Sequence, residues 1–184
     1  MEQDEVLSEH EVLTRLPTGT WRVDRGSSQV NFRARTLLVL PVNGFFSRFG
    51  GELTVAAEEG VSGTLVIDTA SIESGIDRRD EHLRGTAFFA TAQHPEMTFT
   101  VLSAGAGTSD VFEHARIELS GSLRIRDRSL PLSFPVTAIL HGDHLHIEAR
   151  VAIDHAAAGL GWARPGLVGG GVRAGLALTL RPVV

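Results

Sequence analysis

Apolar and polar residues alternate along most of this chain after Trp21, with the two-residue period of a β-strand that has one buried face. The clearest segment runs from Ala115 to Ile125, where apolar residues or glycine alternate with arginine, glutamate and serine. Comparable alternation or short apolar runs occupy residues 30–35, 53–55, 64–67, 97–101, 130–138, 145–153 and 172–180. This pattern predicts an all-β fold with about eight strands.

Short polar turns such as 127–129 and 141–143 separate several of these segments. Turns of this length join antiparallel neighbours. Closing such a set into an up-and-down barrel removes its free edges. We therefore expect an eight-stranded antiparallel up-and-down barrel, in which Pro131 and Pro135 indicate an edge or a bulge.

Residues 77–89 interrupt the alternation and predict one short helix inserted between strands. Asp77 is the expected N-cap, and the acids Asp80 and Glu81 suit the first turn, where the helix dipole favours negative charge. We expect Gly85 to end the helix.

Residues 1–18 form an acidic N-terminal segment that is compatible with a short helix or with disorder, and residues 19–184 are expected to form the barrel domain. The segment lacks the basic start and apolar run of a secretory signal. No stretch reaches the roughly 20 apolar residues of a membrane-spanning helix. These features lead us to expect a cytoplasmic protein without a transmembrane segment.

Composition narrows the possible partners. The net charge is −5, whereas a nucleic-acid-binding surface is normally basic, so no nucleic acid is expected. All 17 basic residues are arginine, which we interpret as a compositional bias. The absence of cysteine excludes disulfides and thiol catalysis.

Several motifs resemble the YceI-like family, also described as polyisoprenoid-binding or lipocalin-like. The most specific part contains Arg79-Asp80, His82-Leu83, Phe88-Phe89, His94-Pro95 and Thr98-Phe99. In order along the chain, the other matching segments are 21–24 with Ser28, Val30 and Phe32, then 44–46, 49–53, 70–72 and 121–125.

This resemblance implies an eight-stranded antiparallel barrel with an apolar pocket for a long-chain isoprenoid, quinone or fatty-amide-like molecule. No well-established catalytic activity goes with the family, and many members are exported to the periplasm, unlike the location expected for this chain. The sequence departs from the family at Ser27, where histidine is usual, and at 154–159, where a more polar stretch is common.

Phenylalanines supply most of the aromatic surface, and they could either fill a solid barrel or line a tunnel for an apolar chain. The resemblance favours the open pocket. The expected pocket residues are Phe32, Phe46, Phe88, Phe89, Phe99, Phe134 and Trp162, together with the polar cluster Arg79, Asp80 and His82.

The polar cluster has two interpretations. Arg79, Asp80 and His82 could bind a ligand's polar head at the pocket mouth, or they could anchor the helix to the barrel, since buried charges need partners. We expect no catalytic residues and no cofactor. An enzyme using His82 and Asp80 as acid and base remains the alternative, although positions two apart on a helix diverge.

His141, Asp143, His144 and His146 have some features of a metal site, since His144 and His146 share one face of a strand. No third convergent ligand is evident, so no metal is expected.

The leading hypothesis is a protein that binds, transports or sequesters a long apolar molecule. A ligand-free stress-response or interaction domain is a third possibility, and a homodimer is possible.

Overall fold

The computed structural model describes residues 17–35, 41–57, 60–109, 114–160 and 171–183, without the side chains of 35, 106–109, 114 and 115. Residues 1–16, which hold most of the predicted N-terminal segment, lie outside this part. The described chain forms one α-helix and eleven strands, which in order are β1 Gly19–Val23, β2 Gln29–Arg35, β3 Pro41–Phe46, β4 Phe49–Ala56, β5 Gly60–Asp68, β6 Ile72–Glu73, α1 Asp77–Arg84, β7 Glu96–Ser109, β8 His114–Ile125, β9 Arg128–His141, β10 His144–Ile153 and β11 Val172–Pro182.

Six of these strands are halves of three longer, interrupted ones. A 3-10 turn at Arg25–Ser27 separates β1 from β2, residues 47–48 separate β3 from β4, and a second 3-10 turn at Thr69–Ser71 separates β5 from β6. Strand β4 pairs with β1 and β5, and β3 pairs with β2 and β6. Each interrupted strand therefore continues beside the same neighbours on both sides of its break. The three interrupted strands and β7–β11 therefore make eight.

The eight strands close into a barrel. Strand β11 pairs with β10 along one edge and with both β1 and β2 along the other, and every pairing is antiparallel. The predicted eight-stranded antiparallel barrel with one inserted helix is confirmed. Its lumen carries the apolar faces that the alternation predicts, with Leu145 fully buried and Val136 only 2% exposed.

Short polar side chains satisfy the backbone where the long strands break. Asp68 accepts a hydrogen bond from the backbone nitrogen of Ala70 at 2.8 Å, and the hydroxyl of Ser71 donates to the carbonyl of Asp68 at 2.7 Å. Ser71 also accepts from the backbone nitrogen of Arg48 at 3.0 Å. Such local bonds compete with the sheet ladder and stabilise a bend within it.

Strands β9 and β10 pair over only part of their length. Their described register runs from His141–His144 to Val136–Ala149, so residues 128–135 of β9 pair with β8 alone. Pro131 and Pro135 both lie on this part, in agreement with the expected edge position, because proline has no N–H to donate across a ladder. The barrel wall is therefore split between β9 and β10 at one end.

The start of α1 differs from the sequence prediction. Ile76, not Asp77, is the N-cap residue, and no side chain caps the first turn. Asp77 is already the first helical residue, where its carboxylate interacts favourably with the helix dipole. Gly85 ends the helix as expected, with its nitrogen donating to the carbonyls of Glu81 and His82.

Candidate functional site

A large apolar cavity occupies the barrel end that carries α1. It has about 980 Å³ of empty space, counting the part open to solvent. Among the described residues that line it, Asn31 alone has a polar side chain. The cavity therefore offers almost no hydrogen-bonding groups, so an occupant would be held by burial of apolar surface.

The inward positions of the strands at this end build the wall. Strand β2 contributes Val30, Phe32 and Ala34, and β11 contributes alternate residues from Val172 to Leu176. Because successive side chains of a strand point to opposite faces, alternate apolar residues all reach the lumen. The cavity wall thus follows directly from the alternation in the sequence.

The helix and the turn after it close one side of the cavity. Leu83 of α1 and the pair Phe88-Phe89 line it. Ring centroids lie 5.8 Å apart for Phe32–Phe46, 6.0 Å for Phe46–Phe89 and 5.7 Å for Phe88–Phe89. These spacings suit tilted or edge-on aromatic contacts, so the four rings form a continuous aromatic wall.

A second, largely apolar cavity lies further along the lumen, with about 520 Å³ of empty space counting the part open to solvent. It extends to Val23 and Leu180 and shares Leu65, Phe99, Phe134 and Leu176 with the first. The rings of Phe99 and Phe134 contact each other with their centroids 5.3 Å apart. We call the cavity beside α1 the outer compartment and this one the inner compartment.

The structure brings six of the expected pocket residues together. All six are phenylalanines on the wall of the outer compartment, namely Phe32, Phe46, Phe88, Phe89, Phe99 and Phe134. Trp162 lies outside the described residues. Ile72, Leu83 and Met97 also line the compartment, although they were not among the expected pocket residues. The alternation around Met97 could have identified it, whereas the helical Leu83 gave no such signal.

Arg79 and Asp80 lie apart from the cavity wall and contact Ser74, just after β6. The backbone nitrogen of Ser74 donates to Oδ1 of Asp80 at 2.9 Å, and its hydroxyl donates to the same oxygen. Arg79 donates from Nε to the Ser74 hydroxyl at 2.7 Å and from Nη2 to the Ser74 carbonyl at 2.6 Å. Asp80 is only 6% exposed, so these bonds supply the partners that a buried carboxylate requires.

His82 is exposed, and its ring centroid lies 6.3 Å from that of Phe88. It is not among the described residues that line either compartment.

Arg84, at the end of the same helix, was not singled out by sequence. It donates from Nε to the carbonyl of Ala70 at 2.9 Å and from Nη2 to that of Ile72 at 2.7 Å. Arg84 therefore supplies hydrogen-bond donors to backbone carbonyls of the second 3-10 turn and of β6.

Arg126 connects two segments beside the split in the barrel wall. Its Nη1 donates to the carbonyls of Phe88 at 3.1 Å and Gly159 at 3.2 Å. Arg128 donates to the carbonyl of Ala157 at 3.2 Å. Arg126 in the turn between β8 and β9 and Arg128 at the start of β9 thus hold the segment after α1 and residues 154–160, which contribute Leu160 to the outer compartment.

The two described positions at which the family pattern is not followed have local roles. The Ser27 hydroxyl donates to Oδ2 of Asp24 at 3.3 Å. Oδ1 of Asp154 accepts from the backbone nitrogens of Ala156 and Ala157 at 2.9 and 3.1 Å. None of these side chains is among the described residues lining the two compartments.

The charged pairs that perturb pKa values lie at the strand breaks. The hydrogen bond from Arg48 Nε, at 2.8 Å, lowers the pKa of Asp68 below its ordinary value, with a smaller contribution from the Ala70 N–H. The hydrogen bond from Arg181 at 2.8 Å likewise lowers the pKa of Asp24. Both carboxylates stabilise turns of the fold.

The histidine-rich hairpin of β9 and β10 forms isolated pairs. His144 Nδ1 lies 2.6 Å from Asp143 Oδ1, and His146 Nε2 lies 3.4 Å from Glu148 Oε1. Within the described ranges, no three histidine or carboxylate side chains are grouped so that they could hold a metal ion.

No helix in the same ranges has the length and apolar character needed to cross a membrane.

Comparison with known proteins gives a consistent result. The sequence pattern of the YceI-like domain matches residues 21–180. Protein YceI of Escherichia coli O157:H7 and Protein YceI of Salmonella newport are each 28% identical to this chain over 116 residues, which is 62% of this chain and 58% of each relative. The matched region thus covers less than two thirds of these relatives.

Solved structures share the fold. BcnA from Burkholderia cenocepacia superimposes with a TM-score of 0.73 at 21% identity, covering 85% of this chain and 98% of BcnA. A polyisoprenoid binding domain from Saccharophagus degradans gives a TM-score of 0.72 at 18% identity, covering 91% of this chain and all of that domain. At such identities the similarity establishes a common barrel architecture.

Proposed function

The chain belongs to the YceI-like domain family, and we propose that its barrel binds a long-chain apolar molecule, such as an isoprenoid, a quinone or a fatty-acyl or fatty-amide compound, in order to carry or sequester it. The observation that carries this proposal is the outer compartment, an apolar cavity with about 980 Å³ of empty space, counting the part open to solvent. A folded interior is normally close-packed with few voids. A cavity of this size lined by hydrocarbon is therefore suited to an apolar guest.

The shape and chemistry of the lumen favour an extended apolar chain. Burial contributes about 25 cal/mol per Å² of apolar surface, so a hydrocarbon gains affinity along its whole length. A strongly polar molecule would lose its hydrogen bonds to water and find almost none in the cavity. The polyisoprenoid binding domain from Saccharophagus degradans, which shares the barrel, supports the same class of ligand.

Binding is favoured over catalysis by the surroundings of Asp80 and His82. The Asp80 carboxylate is occupied by two groups of Ser74, and His82 is exposed at the surface. A general acid or base must reach the reacting group of the substrate. Neither side chain is on the described wall of the two compartments, so a carrier or sequestering role fits better than lipid turnover. A stress-response role, a cytoplasmic location and a homodimer stay predictions.

The test compares two alanine-to-phenylalanine variants on opposite faces of the sheet. Ala174 lines the outer compartment, so Ala174→Phe would fill it. Ala152 is exposed on the adjacent strand, so Ala152→Phe adds the same ring outside the barrel. Each protein is purified, extracted with organic solvent and analysed by mass spectrometry for bound lipid, and thermal unfolding confirms that both variants fold.

We expect a chemically unaltered apolar lipid from the wild type and from Ala152→Phe, and a loss of about tenfold or more from Ala174→Phe, which equals about 1.4 kcal/mol of binding. Purified radiolabelled farnesol added to delipidated protein gives a second measure. A wild-type barrel that neither retains lipid nor binds farnesol would refute the proposal. Equal lipid in the two folded variants would also refute it.

A further inference from the structure

The outer and inner compartments share four described wall residues, and two of these are the aromatic rings of Phe99 and Phe134. Phe99 and Phe134 belong to the walls of both compartments, and their centroids are 5.3 Å apart at an interplanar angle of 47°. Phe134 is 6% exposed and belongs to the main core cluster. The contact therefore lies where the two compartments adjoin.

The two rings come from strands that are not neighbours. Strand β8 lies between β7, which carries Phe99, and β9, which carries Phe134. On β8 the buried, inward position between Leu119 and Leu123 is Gly121, which has no side chain. The space above this glycine is where rings from the two flanking strands can meet.

The geometry at Gly121 confirms that the Phe99 ring uses this space. A Cβ atom placed on Gly121 would lie 2.5 Å from Cζ of Phe99 and 2.3 Å from the carbonyl oxygen of Thr100. Both distances are shorter than van der Waals contact allows. Glycine is thus required at this point of β8 by the close approach of the ring and of the neighbouring backbone.

Each compartment has roughly half of the lumen's length. On β11 the outer compartment extends from Val172 to Leu176 and the inner one from Leu176 to Leu180. With about 3.3 Å of rise per residue, each part corresponds to roughly 13 Å of strand. A ligand confined to the outer compartment therefore reaches only about half as deep as one that uses both.

We infer that the Phe99–Phe134 pair is the specificity determinant for chain length, admitting apolar chains that fit the outer compartment and stopping those that would reach beyond the rings. The inference rests on the proposed function, because it assumes that the lumen binds an apolar chain. A longer chain enters the inner compartment only if one ring leaves its packed position, and this displacement sacrifices aromatic and core contacts.

The experiment measures preference between two isoprenoid alcohols. Delipidated wild type, Phe134→Leu and Phe99→Leu are titrated with two radiolabelled isoprenoid alcohols, farnesol and the longer solanesol, in micelles of one detergent. Leu130→Ala is the control, since Leu130 is a buried core residue that lines neither compartment. The readout is the ratio of the two dissociation constants in each protein.

We expect the wild type and Leu130→Ala to prefer farnesol. In Phe134→Leu the preference should shift towards solanesol by roughly tenfold or more, equal to about 1.4 kcal/mol. We expect the same shift in Phe99→Leu, which removes the ring that β7 contributes. The test therefore remains valid if one of the two variants does not fold. A ratio unchanged within about twofold in the folded variants would overturn the inference while leaving the proposed function intact. Failure of the wild type to bind either alcohol would instead overturn the proposed function, and this inference with it.

Discussion

The guanidinium of Arg79 holds Ser74 by two hydrogen bonds, one to its hydroxyl at 2.7 Å and one to its carbonyl oxygen at 2.6 Å. The neighbouring Asp80 accepts from the nitrogen and hydroxyl of the same serine. The motif that most resembles an active site in the sequence therefore fastens α1 to the end of β6. This arrangement matters for function because the helix brings Leu83 to the cavity wall.

Replacing the buried carboxylate should destabilise the fold. In Asp80→Ala the Ser74 nitrogen loses its acceptor, and we expect a loss of about 1–3 kcal/mol in the free energy of unfolding. Glu81→Ala, on the exposed neighbouring position, is the control and should change stability by less than about 0.5 kcal/mol. Urea unfolding with an unchanged slope measures both. Equal stability of the two variants would contradict the anchoring role.

Replacing Arg84 should destabilise the fold about as much as replacing Asp80. The variant Arg84→Ala leaves the carbonyls of Ala70 and Ile72 without their guanidinium donor, and Ile72 is only 1% exposed. We expect a cost of about 1–3 kcal/mol, which lowers the melting temperature by about 2–4 °C per kcal/mol in a domain of this size. Arg78→Ala, at an exposed position of the same helix, should melt like the wild type. Differential scanning calorimetry distinguishes the two.

Low pH should destabilise the turn at Asp68 that interrupts the strand. The Arg48 hydrogen bond lowers the pKa of Asp68 in the folded protein below its ordinary value of 3.8. The folded state therefore binds the proton less readily than the unfolded state. The stabilisation is present in full above the ordinary pKa and is lost as pH falls through the lower folded pKa.

Comparing wild type with Asp68→Asn in urea between neutral pH and about pH 3 isolates this contribution. We expect the stability difference between the two proteins to shrink as pH falls below the ordinary pKa of Asp68. Asp127→Asn, at an exposed turn position, serves as the control and should keep a nearly constant difference from wild type. A wild-type advantage over Asp68→Asn that persists unchanged into acid would exclude the ion pair as its source.

Loss of the Arg126 contacts should loosen residues 154–160. Arg126 has a positive φ of 55°, so Arg126→Asn is the suitable change, because asparagine tolerates this backbone region better than most residues. Amides of Ala158 and Leu160 are hydrogen-bonded within the segment and should exchange with solvent roughly tenfold faster, equal to about 1.4 kcal/mol of local stability. Hydrogen-exchange mass spectrometry measures the effect.

Arg124→Asn removes a guanidinium from an exposed position near the end of β8 and should leave exchange in residues 154–160 unaltered. Protection of these amides that is the same in Arg126→Asn as in wild type would show that the guanidinium does not hold the segment.

The sequence alone determined the class of fold and the inward face of its strands. Alternation of residues is a local property, because the pleat of a strand places neighbouring side chains on opposite faces whatever the rest of the chain does. For this reason Phe32, Phe99 and Phe134 could be assigned to one interior before any contact was known. The helix and its end at Gly85 were local in the same sense.

Only the tertiary structure decided whether that interior is solid or open. The answer depends on the summed volume of side chains from strands far apart in sequence, and a gap at Gly121 becomes meaningful only when Phe99 and Phe134 meet above it. The partners of Arg79 and Arg84 were hidden for a related reason, since they bind backbone groups that every residue possesses. Periodicity identifies which side chains face inward, whereas packing between distant strands decides how much room they leave.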